Sequence, residues 1–300
     1  MMDYVEFDRE PPSNLTTMVM AFGGWVNAGR AATGAIRYLV QHLSAPRLAS
    51  VDPEDFFVFT DHRPMVQLTT HDTRQIRWPS SEFFTHQPAD GGDGLLLFRG
   101  REPNQRWRTY TTAFLDVAER CGVKQIVSLG AVLAGQPHTR PPRVTGRSPD
   151  PEARAQLEAW GIYRQPRYEG PTGISAVVLD EAARRGLPSL SFSGQSPHYL
   201  QRIENPAVMQ ALLTYVDRLL NLDLDMSQLD EAINAFRVRC DQEVARNASA
   251  LAHVRQLEQE YDGAVEQEPS TPREADFNSD QLMQELEDFL RDQREGGGEA

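Results

Sequence analysis

A chain of 300 residues, 40% hydrophobic and 24% charged, is long enough to bury a full core and has the composition of a soluble globular protein, which excludes wholesale disorder. No apolar run approaches the roughly 18 residues that a membrane span needs, and the acidic opening Met1–Asp8 lacks the basic start and apolar stretch of a secretory signal, so a cytoplasmic protein with no membrane partner is expected. The net charge of −13 disfavours nucleic acid and has one source: residues 1–222 balance 23 acidic side chains against 23 basic ones, whereas residues 223–300 hold 20 against 7.

In chain order, Thr16–Gly24 reads as an apolar strand that stops at paired glycines, and Arg30–Leu43 as a helix with Ala31, Gly34, Ala35, Tyr38, Leu39 and His42 at helical spacing, ending before Pro46. Three short strands are predicted at Phe56–Thr60, Met65–Thr69 and Gln75–Trp78. The continuous apolar run Gly94–Arg99 has the character of a central parallel strand covered on both faces. A helix over Trp107–Cys121, a buried strand at Gln125–Gly130, a helix over Gly173–Arg185 and a strand at Ser189–Ser193 follow. The alternation of strand and helix predicts an α/β sandwich with a mostly parallel sheet.

Four segments carry the candidate chemistry. Where the first strand meets its helix, Gly23, Gly24, Trp25 and Asn27 lie beside backbone N–H groups and a positive helix end, an arrangement suited to an anion or small polar ligand and equally to a tight turn. Behind Gly130, the proline-rich stretch Ala131–Val144 is too long for a simple connection; in it His138 is a candidate acid–base group and Arg140 or Arg143 a candidate anion clamp, although the same residues also serve as turn caps and surface ion pairs. In Tyr168–Ile174, Thr172 is placed to cap the next helix, Gly173 permits close backbone approach, and Glu169 offers an acceptor to a ligand or a partner to the helix dipole. The stretch Ser193–Tyr199 contributes His198. In an open α/β sheet such strand ends share one edge, so these residues are expected to converge. Cys121 and Cys240 lack any Cys-x-x-Cys or Cys/His spacing, so buried thiols are expected and no metal site.

The motifs Gly24-Trp25-Val26-Asn27-Ala28-Gly29, Ala31-Ala32-Thr33-Gly34, Pro137-His138-Thr139-Arg140-Pro141, Glu169-Gly170-Pro171-Thr172-Gly173-Ile174 and Pro197-His198-Tyr199, in this order, resemble the proteasome assembly chaperone 2 family in its bacterial single-chain form, over residues 15–262. The resemblance implies a three-layer α/β/α sandwich whose core is similar to nucleoside phosphorylases and hydrolases, assembled as a homo-oligomer, a trimer in preference. It implies protein binding in the manner of relatives that assist proteasome assembly, with no demonstrated reaction and no cofactor. The chain departs from proteasome-docking relatives at its end, where Gly296–Ala300 replaces the hydrophobic–tyrosine–any residue tail, so docking through that tail is not expected. Some members carry an ATP-grasp ligase label; with 29 arginines and the single lysine Lys124, this chain is poorly equipped to hold nucleotide phosphates that way.

Residues 1–222 are therefore read as the α/β core. From Leu229 through Ile233, Phe236, Cys240, Val244, Leu251, Val254, Leu257 and Tyr261, apolar residues recur at helical spacing, predicting a helical appendage over 223–262 packed on that core. An acidic linker is expected over 263–278, and over 279–300 a short amphipathic helix with Leu282, Met283, Leu286, Phe289 and Leu290 on one face. Two functional readings stand at this point. One is a chaperone-like protein that works by binding proteins. The other is a binder of, or enzyme acting on, a nucleoside-like or anionic ligand, with Arg140 orienting an anion and His138 moving a proton; no paired nucleophile and base stands at diagnostic spacing to favour it.

Overall fold

The computed structural model describes residues 4–68, 73–89, 91–165, 168–201 and 203–266. Its strands in chain order are β1 (Val5–Phe7), β2 (Thr17–Gly23), β3 (Arg47–Val51), β4 (Met65–Leu68), β5 (Arg74–Arg77), β6 (Glu82–His86), β7 (Leu95–Arg101), β8 (Gln125–Ala134), β9 (Val144–Arg147) and β10 (Ser189–Pro197). Its helices are α1 (Ala31–His42), α2 (Trp107–Arg120), α3 (Pro151–Ala159), α4 (Ile174–Arg184), α5 (Pro206–Leu220), α6 (Ser227–Ala245) and α7 (Ala248–Glu266). The main sheet has the order β1-β3-β6-β7-β2-β8-β10-β9, with β7, β2, β8 and β10 parallel and the flanking strands antiparallel. β4 and β5 pair only with each other.

The physical reason for three layers is visible in β2. Val19 and Ala21 pack with Ile36 and Leu39 of α1 and Val208, Leu212 and Val216 of α5, whereas Met18, Met20 and Phe22 pack with Phe114 and Val117 of α2 and Ile174 and Val178 of α4. A strand covered on both faces has no polar side to show, hence its unbroken apolar run. The sheet between two helical layers is the α/β/α sandwich expected. At the far end of the parallel strands from Gly23, Lys124 leads into β8 with its main-chain N–H donating to the Thr16 carbonyl at 2.8 Å.

Some elements differ from expectation. Phe56–Thr60 is not a strand: the N–H groups of Phe56 and Phe57 both turn back to the Pro53 carbonyl at 3.1 Å, and Phe56 is driven as a buried wedge between the rings of Tyr4 and Tyr110, 5.3 and 5.2 Å away. β8 continues to Ala134 and β10 to Pro197, because the two strands stay in register along their whole length, so the connection behind β8 starts only at Gly135. α5 was not among the expected elements, although its opening residues carry a helix-start signal. Asn205 caps it through Oδ1, which accepts from the N–H groups of Ala207 and Val208 at 3.1 and 3.2 Å, and Pro206 takes the first turn, where no N–H is needed.

The chain divides into two compact units, residues 1–258 and 259–300. Within the first, Leu229, Ile233, Phe236 and Cys240 of α6 and Val254 and Leu257 of α7 are buried, which accounts for the spacing of their stripe. Phe236 and Cys240 share a small cluster with Tyr199 and Leu200. In the second, α7 runs on to Glu266, so Gly263 is helical. Residues 267–300, and with them most of the expected linker and all of the expected terminal helix, lie outside the described residues.

Candidate functional site

Two groups of polar residues form around the ends of the parallel strands. The first is an open cleft of about 370 Å³ lined by Gly23, Gly24, His62, Arg101, Glu102, Pro103, Asn104 and Trp107. β2 and β7 end side by side here, with the Glu102 N–H donating to the Gly23 carbonyl at 2.7 Å. Glu102 then reaches to the start of α4, where its Oε2 accepts the Ile174 N–H at 3.1 Å. Gly173, the residue that precedes α4, has no side chain to cap with, and the carboxylate of Glu102 takes over that role at the positive helix end. Both glycines around it are explained by this reach. A Cβ on Gly24, whose φ is +148°, would stand 2.9 Å from the Glu102 Cβ, and one on Gly173 would stand 2.9 Å from Oε2. On the opposite wall, the Arg101 guanidinium donates to His62 Nδ1 at 3.3 Å; burial and that neighbouring cation hold His62 below the usual imidazole range, which keeps Nδ1 an acceptor.

The second group is closed. The Gln136 amide bonds to the carbonyls of Pro137 and Pro141, each at 3.1 Å, and pins the loop that carries His138. Tyr199 Oη accepts the His138 main-chain N–H at 2.9 Å and lies 2.7 Å from Nδ1, to which its own hydrogen is directed. That leaves Nε2–H to donate to Asp241 Oδ1 of α6 at 3.1 Å. The His138 side chain is 1% exposed. Burial pushes the Tyr199 phenol well above its usual range, with Cys240, Glu258 and Asp241 adding to the effect, so it stays a donor. Burial also lifts the Cys240 thiol, up to about 11. Arg140 pairs with Glu258 of α7 at 3.3 Å, and Thr139 donates to the same carboxylate oxygen. The void among His138, Arg140, Pro197, Asn205 and Phe236 is about 10 Å³, at the lower limit of room for one water.

The residues singled out in the sequence thus separate. Gly23 and Gly24 line the cleft, and Gly173 touches its Glu102. Trp25 is 59% exposed beyond it. Asn27 works inside the turn, donating to Thr33 Oγ1 at 2.9 Å and accepting the Thr33 N–H at 3.1 Å. Gly130 lets that turn cross β8, since a Cβ there would meet Val26 at 2.9 Å. Glu169 and Thr172 are exposed, and α4 is capped without Thr172. His138, Arg140 and His198 belong to the closed group, where His198 Nδ1–H donates to the Ala134 carbonyl at 3.2 Å and Nε2 faces His253 Nε2 of α7 at 3.1 Å. Glu102, Arg101, His62 and Trp107 were not anticipated; the polar Arg101-Glu102 pair where the apolar strand β7 ends was the available signal. Among the described residues, no group of three His, Cys, Asp or Glu side chains is placed to hold a metal ion.

The sequence profile of the PAC2 family matches residues 21–244. The chain belongs to the PAC2 family. A crystal structure of a PAC2 family protein from Streptomyces avermitilis is similar at 32% identity and a TM-score of 0.72, covering 80% of this chain and 99% of that one. A Mycobacterium tuberculosis proteasome-assembly chaperone homologue is similar at 30% identity and a TM-score of 0.71, covering 80% of this chain and all of the other at 100%. A second M. tuberculosis structure, of a protein of unknown function, has 27% identity and a TM-score of 0.77 over 88% of this chain and 92% of that one. The PAC2 fold extends to an archaeal proteasome activator of Pyrococcus furiosus at 19% identity and a TM-score of 0.64. No curated protein matches the chain.

Proposed function

We propose that this PAC2 protein is a chaperone-like, protein-binding factor that acts in the assembly of a proteasome-type complex, as a cytoplasmic homo-oligomer, preferentially a trimer. The observation that carries the reading is the closure of the His138 group. A residue that moves protons on a substrate needs a space beside it for the substrate, whereas His138 and Arg140 spend their polar atoms on Tyr199, Asp241 and Glu258 and face a void of about 10 Å³. Their chemistry is that of a clasp between the loop and helices α6 and α7. Similarity to the mycobacterial proteasome-assembly chaperone homologue supports the same reading.

Mixing the purified full chain with separately purified proteasome α- and β-subunits of its host tests it by native mass spectrometry. The expected result is a complex containing this chain and unassembled subunits, retained when Arg140→Ala is introduced. Failure to bind any subunit or assembly intermediate would overturn it. The open cleft beside Gly23 and Gly24 supports a second reading, a small polar or anionic ligand held by Arg101, since its volume falls in the range of ligand pockets. A thermal-shift screen with nucleosides, nucleotides, phosphate and carboxylates, repeated on Arg101→Ala, decides it: a shift abolished in the variant supports the reading, and no shift with any compound removes it.

A further inference from the structure

Every residue of the strands of the β4–β5 hairpin is exposed. Its strands pair only with each other, Val66 opposite Ile76 and Leu68 opposite Arg74. Alternation along a strand puts Val66, Leu68, Arg74 and Ile76 on one face and Met65, Gln67, Gln75 and Arg77 on the other. The apolar members are exposed to an unusual degree, Leu68 at 71%, Met65 at 65%, Val66 at 59% and Ile76 at 55%. At its base Trp78 packs against Phe59 with ring centroids 4.7 Å apart, which fixes the hairpin to the preceding turn. A two-stranded ribbon gains little stability alone, and a contiguous apolar face of this kind marks an interaction surface.

Its charge says what would cover it. Residues 62–78 carry Arg63, Arg74 and Arg77 against the single acid Asp72, a basic patch on a chain of net charge −13. A second hairpin would bring guanidinium against guanidinium. The chain also supplies the complementary chemistry: residues 279–293 carry Asp280, Glu285, Glu287, Asp288 and Asp292 against Arg291, with Leu282, Met283, Leu286, Phe289 and Leu290 at helical spacing. Past the described residues, 34 residues of chain extend to Ala300.

We propose that the hairpin of one copy receives the acidic C-terminal segment of a second copy, apolar stripe against Val66, Leu68 and Ile76, and carboxylates beside Arg74, the guanidinium of that face. This inference rests on the homo-oligomer reading above and adds the surface and the segment that make the contact. Such a contact is heterologous, one patch against a different patch, the type that closes into rings. Because both of its halves are charged, it weakens as salt rises.

Sedimentation of the full chain across a concentration series tests it. Arg74→Glu is expected to raise the dissociation midpoint at least tenfold, Glu285→Arg with Glu287→Arg to do the same, and the three changes together to restore the wild-type mass. Because the hairpin positions are exposed, near-ultraviolet circular dichroism should be unchanged in each variant. An oligomer whose mass ignores all three variants overturns the hairpin contact and leaves the oligomer reading intact, as does loss of assembly without rescue. A monomeric wild-type chain overturns both.

Discussion

The cleft at the ends of β2 and β7 and the loop behind β8 begin from similar material, glycines and polar side chains at the ends of parallel strands, and finish differently. The first stays open at about 370 Å³, whereas the second keeps about 10 Å³ because α6 and α7 lie over it and bring Asp241, His253 and Glu258 to its polar atoms. The lesson is that a histidine and an arginine in a proline-rich loop are only half of a site. Whether they act on a ligand or hold the fold together is decided by what arrives from a distant part of the chain, here about a hundred residues later.

That contrast can be broken from the closed side most forcefully. Phe236→Ala removes the aromatic anchor of α6 above the loop and should cost about 3 kcal/mol of stability in denaturant unfolding, with faster hydrogen exchange over residues 136–143. If exchange there stays unchanged, the helices are not what closes the group. Tyr199→Phe leaves both the His138 N–H and Nδ1 without their partner and is expected to cost about 2 kcal/mol; a neutral outcome would show that the clasp holds without it. On the open side, Glu102→Gln keeps the shape of the strand-end turn and loses the charge at the start of α4, for an expected loss of about 1 kcal/mol in denaturant unfolding; a variant as stable as the wild type would show that the charge is not what holds that helix start. The smallest effect is one of pH. His62 is held below its unfolded value in the folded protein, so the unfolded chain binds the extra proton first, and stability falls as pH drops from about 6.5 through the lower folded value. His62→Gln should flatten that slope; an unchanged slope would place its origin elsewhere.

The three-layer architecture was legible because its strands are buried on both faces and announce themselves as apolar runs: Thr17–Phe22 and Leu95–Phe98 needed no tertiary information. The family was legible for a related reason, since its motifs sit in the turns that those strands force. What was not legible was partnership. Phe56–Phe59 has the composition of a strand, yet the preceding Pro53 turn folds it back and Tyr110 gives its ring a better place than a ladder would. Glycines 24 and 173 read as ligand loops in one dimension; in three they make room for Glu102, a residue 78 positions from one and 71 from the other, and no local pattern links them. His138 looked available for chemistry because Tyr199 and Asp241, which occupy both its ring nitrogens, belong to other segments.

Lys124 has a practical meaning beyond electrostatics. It is the one side-chain amine of the sequence, exposed and seated where β8 begins, on the opposite edge of the sheet from Gly23 and Arg101. Reagents that acylate lysine, and any enzyme that attaches a tag through an isopeptide bond, therefore meet a single side-chain address on this protein. A fluorophore or surface tether installed there leaves the cleft edge facing away from the support, which makes the native sequence, without mutation, an oriented probe for whatever binds it.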